Sequence, residues 1–129
     1  MNYWFIKSPF KNRGWGEAIM SGRFTLFGIR NHQARKNISE MKTDDLAIYY
    51  HDRIALGLME VASLPFPDPT CSGNWLAVDF IPVKTFMNPF TLGQIKVNEI
   101  LNQTAIIRQP RLSVVKLSYC EFEEFVVEC

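Results

Sequence analysis

Gly28-Ile29-Arg30-Asn31-His32-Gln33-Ala34-Arg35-Lys36-Asn37 packs three cations, one imidazole and three amide side chains into ten residues. Its apolar residues, continued by Ile38 and Met41, recur at spacings of three to five, which predicts a short helix with one buried stripe. Gly28 permits a positive φ or a close backbone approach just before that helix. Arg30, Asn31, Gln33 and Arg35 are left facing outward or into a neighbouring cleft. Arginine and amide side chains bind base edges and phosphates through paired hydrogen bonds. A solvated basic helix face uses the same residue types, so these residues alone leave both readings open.

Strand signals flank this stretch. Tyr3 to Ser8 is aromatic and β-branched and is stopped by Pro9. Lys11 to Gly16 reads as a polar loop holding Trp15, either a core plug or a stacking platform, and Glu17 to Met20 as one turn of helix. Phe24 to Phe27 is a short apolar segment. Leu46 to His51 alternates as a strand, with Leu46, Ile48 and Tyr50 on one side and Ala47, Tyr49 and His51 on the other. Asp52-Arg53 reads as a tight hairpin into a strand from Ile54 to Leu64, where Gly57 marks a bulge or a close contact.

The prolines at 65, 67 and 69 break any ladder. Trp75 to Phe86 is the longest strand candidate, with Pro82 at an edge or bulge. Thr91 caps a short helix, a second helix is expected from near Asn98, and the segment from Ala105 to Pro110 leads to a last strand near Ser113 to Leu117. Ser118-Tyr119-Cys120-Glu121 is a capping box that opens a C-terminal amphipathic helix. The sum is about five strands interrupted by short helices. That is not a βαβ series, and it favours a mixed, largely antiparallel sheet curled towards a barrel.

The chain has 129 residues, 47% hydrophobic and 21% charged, which fits one soluble domain, 1–129. No apolar run approaches the roughly 18 residues needed to span a bilayer, and the N-terminus reads as a strand rather than a signal peptide. Cys71, Cys120 and Cys129 are odd in number and far apart, with no metal-ligand spacing, so neither structural zinc nor a disulfide framework is expected. A cytoplasmic, monomeric protein without metal or cofactor is the expectation.

The net charge of +1 hides an asymmetry. Lys7 to Lys42 holds eight cations against Glu17 and Glu40, whereas Glu121 to Cys129 holds four glutamates and no cation. One basic region on a near-neutral chain suits a polyanion bound in one place. A Cys–His hydrolase would draw on Cys71, on His51 or His32 as base, and on Asp68 or Asp79 as orienter. None of these stands in a local nucleophile signature, and catalysis is not expected. The Gly-rich and Walker-type phosphate loops are absent. What remains is an interleaving of basic, polar and aromatic residues: Lys7, Ser8, Trp15, Arg30, Asn31, Gln33, Arg35, Tyr49 and Tyr50. Aromatic faces stack bases, amides and hydroxyls bond their edges, and cations hold phosphates.

The sequence also resembles the EVE domain family. Gly28 to Asn37 is similar to that family's central Gly-Val/Ile-Arg-Asn-x-Gln-Ala-Arg-x-Asn motif, and Tyr3 to Pro9 to its opening Tyr-Trp-Leu-Phe-Lys-Ser-Glu-Pro. Met41-Lys42 through Tyr50-His51, Pro67 to Thr70, Trp75 with Val78-Asp79 and Pro82, Leu92 with Ile95-Lys96, and Arg111 to Val114 resemble later blocks, in order. The resemblance implies an α+β, PUA-like fold: a mixed, mainly antiparallel β pseudo-barrel of five to six strands with surrounding short helices, related to YTH and thymocyte nuclear protein-like domains. It implies a non-catalytic module that recognises a modified base, methylated or hydroxymethylated cytosine in DNA, with structured or modified RNA as the alternative. Bacterial members of the family often occur in restriction or defence settings.

Carried over by position, the resemblance places Lys7, Ser8, Trp15, Arg30, Asn31, Gln33, Arg35, Tyr50, His51, Arg111 and Ser113 at or near the pocket. This chain departs from the family pattern in lacking an acidic residue between Ser8 and Pro9. It also has Phe27 where Asp is usual, His32 where Tyr is frequent, Thr43-Asp44 in place of a turn glycine, and Lys116 in place of a proline. These differences bear on base preference more than on fold.

Overall fold

The computed structural model describes residues 1–8 and 14–127. The expected stop at Pro9, the start of the Lys11–Gly16 loop with Lys11 and Arg13, and Cys129 lie outside the described residues. Strands are β1 (Tyr3–Lys7), β2 (Phe24–Leu26), β3 (Leu46–His51), β4 (Ile54–Val61), β5 (Phe66–Pro67), β6 (Leu76–Thr91) and β7 (Val114–Leu117). Helices are α1 (Trp15–Ser21), α2 (His32–Ser39), α3 (Leu92–Val97), α4 (Ala105–Arg108) and α5 (Tyr119–Val126).

Six strands follow the order β2-β6-β4-β3-β1-β7 in a curled, open, PUA-like sheet, and β5 pairs with β6 beside this path. β1 and β3 run parallel, and the other pairs are antiparallel. The mixed, mainly antiparallel expectation therefore holds. Along β3, Ala47 to Tyr50 are all buried, so helices must cover both faces of the sheet. Alternation separates them as expected: Tyr50 packs with Phe5, which also meets Phe125 of α5, whereas Tyr49 packs with Trp15 of α1 and Phe24 of β2.

Several elements differ from the sequence reading, each for a local reason. α2 begins at His32 rather than Ile29, because the Asn31 side chain accepts from Ala34 N at 2.9 Å and acts as N-cap. β6 continues to Thr91 past Pro89. Its register jumps between Thr85 opposite Gly57 and Phe90 opposite Ala55, so Pro89 falls where the β4 ladder is already interrupted. No helix starts at Asn98. Its side-chain oxygen instead accepts from the Ile100 and Leu101 amides at 2.9 and 3.0 Å, which turns the chain, and α4 forms later at Ala105–Arg108. The capping boxes at Thr91 and Ser118 are both formed.

Gly57 resolves the choice posed for Trp15. A Cβ on Gly57 would lie 2.2 Å from Trp15 Cζ2 and 2.7 Å from the Lys84 carbonyl, so the indole occupies the slot left by the missing side chain. Trp15 is 7% exposed, and its Nε1 donates to Thr85 Oγ1 at 2.7 Å.

Candidate nucleic-acid interface

The approach to α2 is held by one carboxylate. Gly28 has φ +78°, and its amide donates to Asp68 Oδ2 at 2.8 Å. Arg30 Nη1 donates to the same oxygen at 3.0 Å, while the Thr70 amide and hydroxyl donate to Asp68 Oδ1 at 2.8 and 2.6 Å. Burial of Asp68 would raise its pKa. The bonds from Thr70, Gly28 and Arg30 more than offset that and hold its carboxyl well below the usual carboxylate range. Asp68 also closes the hairpin between β5 and β6, its amide donating to the Trp75 carbonyl at 2.9 Å.

That hairpin sets Trp75, half-buried, beside α2. The guanidinium carbons of Arg30 and Arg35 each lie 5.6 Å from the Trp75 ring centroid, and the His32 ring lies 5.1 Å away, tilted by 32°. One indole thus carries two guanidiniums and an imidazole. The arrangement suits recognition of π systems and anions, since the cations are oriented by the ring instead of floating in solvent.

The other expected residues gather at the ends of β1, β3 and β7. The Ser8 amide donates to the Tyr50 carbonyl at 2.8 Å, and the buried Ser8 side chain hydrogen-bonds the Tyr49 hydroxyl, whose pKa burial pushes up. His51 Nδ1 lies 3.0 Å from the Ser8 carbonyl and must donate to it, which leaves Nε2 as the acceptor in the neutral ring. Lys7 turns to the other side: its Nζ donates to the carbonyls of Ile106 and Pro110 at 3.0 and 3.1 Å, and burial lowers its pKa. Tyr50 is likewise buried on the Phe5 side, with its pKa raised chiefly by that burial.

Ser113 joins this end through its carbonyl, which accepts from the Lys7 amide at 2.8 Å, and Arg111 is exposed two residues earlier. α2 links the two groups. Gln33 Nε2 donates to Asn37 Oδ1 at 3.1 Å, and the buried Asn37 donates to the Val114 carbonyl at 2.7 Å. Gln33 therefore stands towards the β7 end, while Arg30, His32 and Arg35 meet Trp75. Asn31 is exposed at the helix start with its oxygen used as cap. The structure brings Arg30 and Arg35 together, and Ser8 with His51. It sets Lys7 and Tyr50 on the opposite side of the sheet from Trp15 and Tyr49.

Trp75 and Asp68 are absent from the expected pocket set. The signals for them were an aromatic residue opening the longest strand and an acidic residue inside a proline-rich turn, neither of which carries chemistry until the hairpin folds back on α2. The carboxylates that could orient a catalytic histidine are both committed, Asp68 to Arg30 and Asp79 to Arg23 and Thr25. A cavity of about 330 Å³ between α1 and β2, lined by Glu17, Ser21, Arg23 and Thr25 among others, contains none of the expected site residues among the described ones.

Residues 2–128 match the EVE domain family. The protein Atu2648 from Agrobacterium tumefaciens is 32% identical, with 96% of this chain and 90% of that one covered and a TM-score of 0.89. Rpa0253 from Rhodopseudomonas palustris is 28% identical, covering 99% of this chain and 92% of that one, with a TM-score of 0.90. Human THYN1, solved in complex with DNA containing 5-methylcytosine, shares the fold at 21% identity, with 96% and 95% coverage and a TM-score of 0.85. No curated protein matches the chain at a significant level.

Proposed function

The chain belongs to the EVE domain family, and from that premise we propose that it is a non-catalytic module that binds nucleic acid by taking a modified base, methylated or hydroxymethylated cytosine in DNA, into a pocket beside α2. The observation that carries this reading is the gathering of Arg30, His32 and Arg35 on the half-buried ring of Trp75. The complex of human THYN1 with methylated DNA supports it through the shared fold. In this reading Asn31, Gln33 and Ser113 supply hydrogen bonds to the base edge, and Ser8 and His51 shape the floor at the strand ends. Arg111 lies at the rim, Trp15 supports the pocket from the Tyr49 side of the sheet, and Lys7 and Tyr50 support it from the Phe5 side. Taking a base out of its stack costs a few kcal/mol, and stacking on an aromatic side chain returns roughly 1–3 kcal/mol of that.

Fluorescence anisotropy with labelled oligonucleotides tests the reading. DNA carrying 5-methylcytosine or 5-hydroxymethylcytosine is expected to bind at least about tenfold tighter than plain DNA, the equivalent of ~1.4 kcal/mol. Equal affinity for plain, cytosine-modified and adenine-modified DNA at low salt would falsify it. An RNA of the same sequence bound more tightly than the DNA would move the assignment to RNA, because the 2′-hydroxyl is what separates the two.

A further inference from the structure

Arg30 and Arg35 stand at the same distance from Trp75 but in different electrostatic positions. The charge of Arg30 is met by the buried Asp68 at 3.0 Å, and its Nη2 is directed at Thr70 Oγ1 at 3.2 Å. Arg35 enters no salt bridge among the described residues, and Lys36 beside it is exposed. A guanidinium resting on an indole keeps its N–H donors, which lie in its own plane, available to an anion. His32, one turn before Arg35 on the same helix face, rests on the same ring.

We propose that Arg35, with His32 beside it and Trp75 as platform, holds a phosphodiester of the bound strand next to the recognised base, whereas Arg30 positions the loop and holds no phosphate. The inference rests on the nucleic-acid reading above and divides its labour. Two cations that look equivalent in sequence separate into a strut and a clamp, because among the described residues only Arg30, although the more exposed of the two, pairs with a buried carboxylate. The ligand chemistry is a phosphate monoanion within a chain, approached through the edge of a stacked guanidinium.

The test uses the full chain and a fluorescein-labelled single-stranded DNA carrying one 5-methylcytosine, alongside its unmethylated twin, across a potassium chloride series. Arg35→Ala is expected to weaken both oligonucleotides by the same factor. It should also reduce the slope of log affinity against log salt by about 0.7, the release of one phosphate contact on a single strand. Arg35→Lys keeps the charge and therefore the slope. Arg30→Ala changes affinity without lowering the slope. An unchanged slope in Arg35→Ala, with its unfolding midpoint intact, overturns the proposal, and so does a slope lost in Arg30→Ala instead. Failure of the base reading looks different: the wild type binds both oligonucleotides equally, yet Arg35→Ala still loses slope, which keeps the phosphate clamp and removes the modified base. Absence of binding to either oligonucleotide overturns both.

Discussion

Asp68 shows how one residue can organise a site that it need not touch. Its side chain is fully buried, and it accepts from Gly28, Arg30 and Thr70, so it fixes the left-handed glycine, the first arginine of the motif and the turn before Trp75 together. Asp68→Asn removes the charge and turns an amide donor towards other donors. The expected loss is about 2–3 kcal/mol of stability, below the usual cost of breaking a fully buried pair because Arg30 stays partly exposed. The pH dependence follows from the depressed folded pKa. The unfolded carboxyl titrates near ~3.9, so the contribution of Asp68 is complete above that value and is lost as pH falls through the lower, folded one. Urea unfolding from pH 6 down to pH 2 should therefore show the gap between wild type and Asp68→Asn closing towards the acid end. A gap that stays constant over that range would mean that the carboxyl titrates alike in the folded and unfolded states, with nothing in the fold depressing its pKa. At this scale the sequence was partly legible. Gly28 advertised its positive φ, because few other residues adopt it cheaply, whereas the cap made by Asn31 was not read from the sequence. Asp68 gave no such sign as a holder of the motif, since Gly28 and Arg30 lie about forty residues away and only the hairpin brings them near.

Between elements, the contact of α1 with the β4–β6 pair is decided by the one glycine within β4. The choice offered by the sequence at position 57, a bulge or a close approach, turns out to be both: the register of β4 against β6 shifts between Ala55 and Gly57, and the Trp15 indole lies over the glycine. Gly57→Ala places a methyl group inside van der Waals contact with the indole and with the Lys84 carbonyl, which is backbone and cannot swing aside. A stability loss of about 1–3 kcal/mol is expected from that overpacking, measured as a lower denaturation midpoint at unchanged denaturant slope. Trp15 near-ultraviolet dichroism should change in the same variant, since the ring must leave its seat against Tyr49. If the variant is as stable as wild type, the slot is wider than the packing implies. Elements with strong local signals were legible from the sequence, as in the capping boxes and the alternation of β3. The end of β6 was not, because a proline stops a strand only where its missing donor would have been used, and residues 86–89 have no β4 partner in the ladder.

For the molecule as a whole, the fold changes what the charge count means. The eight cations from Lys7 to Lys42 suggest one basic region that binds a polyanion in one place, yet three of them are consumed internally. Lys7 is bound to the Ile106 and Pro110 carbonyls, Arg23 to Asp79 and Arg30 to Asp68. Of the described members of that run, Arg35, Lys36 and Lys42 stand neither in a salt bridge nor in a carbonyl pair like that of Lys7. The other two members of the run, Lys11 and Arg13, lie in the segment between Ser8 and Gly14. A polyanion therefore meets few cations, and the number of phosphates that they neutralise sets the salt dependence of binding. With about three to five contacts, log affinity should fall against log salt with a slope of roughly −2 to −4 on a single strand. The full set of eight would give a slope steeper than about −5. Affinity titrations between low and moderate salt distinguish the two directly. The steeper value would mean that the ion pairs of Arg23 and Arg30 open when nucleic acid binds, so that Asp79 and Asp68 give up their partners to phosphate. The shallower value leaves those pairs as framework, and in the proposed reading most of the discrimination between ligands then comes from the uncharged contacts of Asn31, Gln33, Ser113 and the aromatic ring of Trp75. Modified and plain oligonucleotides should in that case show parallel salt lines, offset by a constant factor, because in that reading the cations count phosphates and the proposed pocket alone distinguishes the base.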